Sequence, residues 1–204
     1  GKPAMTAILS PPFRAAQKKD ARALAELINE AGDGLPLILW RPRAEAKGVD
    51  PFDFGAGRAQ REGDNFSYRN AIVAEADDGA VAAMMLAYRL PEAGGEAEDF
   101  TQLPDLLRAL AELESKAAGS FYINAIAAYP AFRGQGLGGR LMTMARDMAA
   151  ERGCSLTSLI ASQENAGAVR LYRRLGYEPV ASAPIPAHPD LHFRGDWILM
   201  PCPV

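Results

Sequence analysis

Tyr129-Pro-Ala-Phe-Arg-Gly-Gln-Gly-Leu-Gly-Gly-Arg-Leu141 decides how this chain is read. The stretch leaves a run of strand-like residues, turns at Pro130 and places four glycines within positions 134–139, at the mouth of a helix. Such a segment offers several backbone N–H groups at once to a diphosphate, with the positive end of the helix dipole behind them. Glycine permits this because it tolerates unusual φ/ψ and lets a ligand approach the main chain closely. The ligand implied here carries phosphates.

Gly134-Gln-Gly136-Leu-Gly-Gly139 also matches G-x-G-x-x-G, the pattern of dinucleotide-binding folds. Glu164 follows 25 residues after Gly139 and could stand in for the acid that binds a ribose. Two features weigh against that reading. Pro130-Ala-Phe-Arg133 separates the strand from the glycines, and only 65 residues follow Gly139, too few for the rest of a doubly wound sheet. A Walker-type loop fails because no Gly-Lys-Ser/Thr is present. A glycine turn that binds nothing remains as the plain alternative.

Outward from the loop, Phe121–Ala128 is apolar on both faces, as a central strand should be. The helix after the glycines turns Leu137, Leu141, Met144, Ala145 and Met148 inward and ends at Gly153; Leu156–Ala161 reads as the next strand. Asn165 starts a shorter helix with Ala168, Leu171, Tyr172 and Leu175 on one side, and Gly176 stops it. Final strands are expected near 177–182 and 196–201, separated by a proline-rich loop. Toward the N-terminus, 13–19 reads as a strand, and Asp20 as the cap of a helix closed by Gly32. A second helix follows over 36–47, whereas the pattern over 48–68 favours no element. Asn70–Ala76 and Ala80–Leu90 form a hairpin around Asp77-Asp78-Gly79. After a polar loop over 91–102, Pro104 opens a leucine-striped helix.

Composition bounds the function. With 204 residues, 49% hydrophobic and 23% charged, the sequence suits one soluble domain, expected over 5–204, with residues 1–4 a cloning remnant ahead of Met5. A formal net charge of −3 argues against nucleic-acid binding, and no apolar run approaches the ~20 residues that span a bilayer. Cys154 and Cys202 are too few for a disulfide framework or a zinc site, which points to a reducing, cytoplasmic location. His188 and His192 have i, i+4 spacing, but Pro186 and Pro189 make a helix there unfavourable, so no metal is expected.

Arg133-Gly-Gln-Gly136-Leu-Gly138 matches the R/Q-x-x-G-x-G/A loop of the GNAT acyltransferase superfamily, and the resemblance extends beyond it. Phe121–Pro130 resembles the family's fourth strand. Asn165-Ala-Gly-Ala-Val-Arg-Leu-Tyr-Arg-Arg-Leu-Gly-Tyr177 resembles its second signature, an Asn opening a helix that carries a Tyr and ends in Gly plus an aromatic. The match covers about 121–180, while 13–31 and 70–90 agree in pattern only. The resemblance implies an α/β fold with a mixed, mostly antiparallel sheet, strands 4 and 5 splayed apart, and helices flanking it. One extra helix, at 103–116, is inserted between strands 3 and 4.

It also implies acetyl-CoA as cosubstrate, with no metal. The diphosphate falls to the amides of Arg133, Gly134, Gln135, Gly136, Leu137, Gly138 and Gly139, with Arg140 as a nearby charge. Main-chain groups of Ile126, Ala127 and Ala128 would pair with the pantetheine arm, and a strand N–H could polarise the thioester carbonyl. Asn165 would touch the pantetheine arm or simply cap its helix. Tyr172 would donate a proton to the departing thiolate, or sit as a core aromatic. Some members begin the fourth strand with a Glu, but this sequence reads Gly119-Ser120-Phe121-Tyr122 there. A water relayed by Ser120, Tyr122 or Asn124 is the expected substitute, with Glu75 as another candidate base.

Trp40, Tyr68, Tyr122 and His188 are candidates to frame the acceptor, and Trp40 and Tyr68 belong to an aromatic-rich early region with Phe52, Phe54 and Phe66. Core packing is the plain alternative for each. The acidic Glu92, Glu96, Glu98 and Asp99 read as solvated surface. The expected function is acetyl transfer to a primary amine of a small molecule by direct attack, with a homodimer as a possible assembly and no nucleic-acid or membrane partner. The alternatives are a silent CoA-binding regulatory module and a protein N-terminal or lysine acetyltransferase.

Overall fold

A computed structural model of the chain describes residues 9–92 and 100–204. The remnant expected at 1–4 and the acidic Glu96, Glu98 and Asp99 lie outside the described residues. In chain order the elements are β1 (Phe13–Ala15), α1 (Ala21–Ala31), α2 (Leu35–Lys47), α3 (Pro51–Ala59), β2 (Ala71–Glu75) and β3 (Val81–Arg89). They continue as α4 (Asp105–Ser115), β4 (Phe121–Ala128), α5 (Leu137–Glu151), β5 (Leu156–Ser162), α6 (Ala166–Arg174), β6 (Ala181–Pro184) and β7 (Asp196–Pro203).

The seven strands form one sheet in the order β1-β2-β3-β4-β5-β7-β6. It is mostly antiparallel, with β4 and β5 a parallel pair. That parallel register covers three positions, from Phe121↔Thr157 to Ile123↔Leu159. Strand β4 runs on to Ala128 and β5 to Ser162.

The chain divides into two compact units, Gly1–Tyr88 with Asn124–Met148, and Arg89–Ile123 with Ala149–Val204. In the first, α1 presents Leu24, Ala25, Leu27 and Ile28 to the core, all at 3% exposure or less, which its 3.6-residue apolar period dictates. Strand β3 is buried along Ala82–Tyr88, as an interior strand must be. Helix α1 packs on α2 and α3. Trp40 seals the α2–α3 contact: its ring stands edge-on to Phe52, and a Cβ at Gly55 would come within 2.6 Å of it.

Asp20 occupies the cap position of α1 but does not cap it. Its carboxylate instead accepts from the Gln17 amide at 2.7 Å and from both terminal nitrogens of Arg14, which also reaches Glu75. That network ends β1 at Ala15, and Lys18–Asp20 forms a 3-10 turn where the sequence pattern expected more strand. Glu75 is thereby a strand-end ion-pair partner.

In the second unit, α4 buries Leu106 and Leu113 and packs against β6 and β7 at the end of the sheet. Tyr177 is fully buried, and its hydroxyl accepts from Thr157 Oγ1 at 2.9 Å. This anchoring delays β6 to Ala181, later than the expected 177–182. Strand β7 extends to Pro203. Among the described residues no helix is long and apolar enough to cross a membrane.

Candidate active site

The glycine loop is shaped by two residues that only glycine occupies cheaply. Gly134 has φ +77° and Gly136 φ +80°, in the left-handed region where a side chain costs roughly 1–2 kcal/mol. Among the described residues, the amides of Gly134, Gln135, Gly136, Leu137, Gly138 and Gly139 donate to no protein acceptor. The first amide with a partner is that of Arg140, which donates to Gly136 O at 3.2 Å. A Cβ added at Gly134, Gly136, Gly138 or Gly139 would meet nothing within 4 Å, so protein packing does not explain these glycines. Six consecutive donors at a helix mouth, with open space at the four glycines, suit a diphosphate.

The side chains around the loop fix it in place. Arg133 donates through Nε to Ala128 O at 3.2 Å and through a terminal nitrogen to Glu30 at 2.8 Å. The guanidinium therefore braces the loop against the end of β4 and α1. Arg140 is exposed and lies 4.7 Å from the centre of the Phe13 ring, leaving a cationic face at the first turn of α5.

Two main-chain groups at the end of β4 are held by protein partners. Tyr129 N–H donates to Ala82 O on β3 at 3.0 Å. Ala128 O is already taken by the Arg133 side chain.

A cavity of about 230 Å³ lies at this end of β4, walled by Glu26, Glu30, Phe52, Ala128 and Tyr129. Tyr129 donates its phenol proton to Glu26 at 2.7 Å. Burial first, and this carboxylate second, raise the phenol well above its ordinary pKa. Sequence reasoning missed Glu26 and Glu30, since an acid on an amphipathic helix carries no motif.

In the second unit Asn165 caps α6, its side-chain oxygen accepting from Ala168 N–H at 3.3 Å. Its side chain is exposed. Tyr172, seven residues on, is half-buried and stands edge-on to Tyr177, with ring centres 6.3 Å apart. A phenol so placed keeps its ring against the core and remains partly accessible.

Three expected roles change. Ser120 is 2% exposed, and its hydroxyl bonds to Ala117 O at 2.6 Å and to Ser158 Oγ at 2.7 Å. It stitches β4 to β5 and is closed to a water relay. Tyr122, at 3% exposure, and Trp40, at 2%, are core residues that leave no surface for an acceptor. Tyr68 is half-exposed and donates to Glu62 at 2.9 Å. His188 accepts the Asp190 N–H through Nδ1 at 3.1 Å, which shapes the loop before β7. Asn124 is half-buried, and its Nδ2 donates to Tyr88 Oη at 3.2 Å. Among the described residues no group of three or more His, Cys, Asp or Glu could hold a metal.

The model of the acetyltransferase (GNAT) family matches residues 37–177, more than half of the chain. The protein belongs to the GNAT acetyltransferase family. Solved structures agree in fold. An acetyltransferase structure superposes with a TM-score of 0.64 at 21% identity, covering 94% of this chain and 98% of the other. An N-acetyltransferase from Staphylococcus aureus Mu50 gives 0.58 at 16% identity, over 93% and 98%. The yncA protein from Salmonella typhimurium, solved with its cofactor acetyl-CoA, gives 0.55 at 20% identity, over 94% and 92%. No curated protein matches the chain.

Proposed function

We propose that this GNAT protein is an N-acyltransferase that moves the acetyl group of acetyl-CoA to a primary amine of a small molecule. One observation carries the reading: among the described residues six successive amides, Gly134 to Gly139, have no protein acceptor, and open space lies over the four glycines. Acetyl-CoA supplies the thioester, whose carbonyl carbon is the electrophile. The loop amides hold its diphosphate, main-chain groups of Ile126, Ala127 and Ala128 pair with its pantetheine arm, and Asn165 contacts the same arm from its cap position.

The amine nitrogen attacks the carbonyl carbon with its lone pair, forming the C–N bond as the C–S bond breaks. Tyr172 gives its phenol proton to the departing thiolate, and the proton lost from the attacking nitrogen leaves through water. Holding both reactants in one geometry supplies much of the acceleration. Neither Cys154 nor Cys202 is an accessible acyl carrier, since both are buried free thiols.

The test is thiol release from acetyl-CoA with a panel of amines, polyamines and peptides, alongside CoA binding by calorimetry. Turnover with a small amine, lost by about 100-fold in Tyr172→Phe with CoA affinity retained, is the expected result. Binding without turnover would identify a regulatory module, and turnover confined to peptides would move the acceptor to a protein. Absence of CoA binding would overturn the reading.

A further inference from the structure

Asn124 sits in β4 immediately after the last residue registered with β5, Ile123. It and Tyr122 are the two residues of Phe121–Ala128 with polar side-chain groups, and Tyr122 is buried. The Asn124 Nδ2 donates to the hydroxyl of Tyr88 at 3.2 Å. Tyr88 lies on β3 at 9% exposure, so this contact forms largely away from water, where a hydrogen bond holds its geometry best. A carboxamide has one acceptor oxygen and two N–H donors. Committing the nitrogen to Tyr88 fixes the plane of the group and leaves its oxygen as the acceptor on the other side.

We propose that Tyr88 is a positioning residue for acyl transfer, holding Asn124 so that its Oδ1 accepts an N–H from the incoming amine. This rests on the N-acyltransferase reading. The amide oxygen is too weak a base to take the proton. It orients the nitrogen so that the lone pair points at the thioester carbonyl, while the proton leaves to water. The pair thereby restricts the acceptor to nucleophiles that carry an N–H or O–H donor. Small errors in such alignment are costly, because a misplacement near 1 Å loses about 100-fold in rate.

A double-mutant cycle on the full chain tests this, using Tyr88→Phe, Asn124→Ala and the double variant. Tyr88→Phe keeps the ring and so the packing. It is expected to lower kcat/KM for the amine about tenfold and the Tm by a few degrees, while leaving the KM for acetyl-CoA and the affinity for CoA unchanged. In the Asn124→Ala background, removing the Tyr88 hydroxyl is expected to cost nothing further. Multiplying losses, or a Tyr88→Phe loss that tracks weakened CoA binding, would overturn the pairing and leave the enzyme reading intact. No thiol release by the unaltered protein with any amine would overturn both.

Discussion

Helices α5 and α6 both follow a strand, yet they treat their first backbone donors in opposite ways. Asn165 folds its side-chain oxygen back onto Ala168 N–H and closes α6. Asp50 does the same for α3, accepting from Phe52 and Asp53 N–H. Helix α5 opens with no such residue, and the amides of 134–139 are unsatisfied among the described residues. A cap contributes about 1 kcal/mol, so leaving a helix mouth bare sacrifices stability. The four glycines gain no packing in return, because a Cβ at any of them meets nothing within 4 Å. A closed helix start is explained by its own side chain, whereas the open start of α5 leaves its donors available to water or to a ligand.

Substitutions at the open end should have the largest effect. Gly136→Val forces a branched side chain into φ +80° and fills the space above the amides. It should weaken CoA binding by at least about 100-fold, a loss near 2.7 kcal/mol, measured by calorimetry. Gly138→Val carries no positive-φ strain and is the cleaner probe. It should lose about tenfold in affinity with little change in Tm.

A third kind of helix start, that of α1, sharpens the contrast. Burial alone would raise the Asp20 carboxyl, but the Arg14 guanidinium and the Gln17 amide hold it below the ordinary carboxylate range. Its stabilising contribution is therefore complete above the unfolded-state pKa near 4 and is lost as pH falls through the lowered folded value. Asp20→Asn should cost about 2 kcal/mol at pH 7 and flatten the acid limb of the stability curve in urea melts. CoA affinity should be unchanged.

The smallest effect is expected at the closed end. Asn165→Ala should remove about 1 kcal/mol of stability, a shift of a few degrees in Tm. If Asn165 also meets the pantetheine arm, CoA affinity falls by a few-fold in the same variant. An unchanged affinity would confine the residue to capping.

How much of this was legible in the sequence follows from where the physics is local. Strand β4 and the start of α6 were readable because apolar runs and an Asn cap act within a few residues. Helix α3 was not, since Gly55 and Gly57 interrupt its pattern and Gly55 is selected by Trp40 from another helix. The loop donors were legible through their glycines. The bracing of Arg133 by Glu30 and the Asn124–Tyr88 contact span 103 and 36 residues of sequence, and no spacing rule reaches that far. The burial of Ser120 likewise depends on Ser158, a partner that only the β4–β5 register brings to it.

The most direct test is an amide-resolved CoA titration followed by 1H–15N NMR. The account predicts that the backbone resonances of Gly134 to Gly139 shift most and become protected from exchange, while the Ala168 amide capped by Asn165 keeps its exchange rate. Binding that leaves the 134–139 resonances unmoved would contradict it.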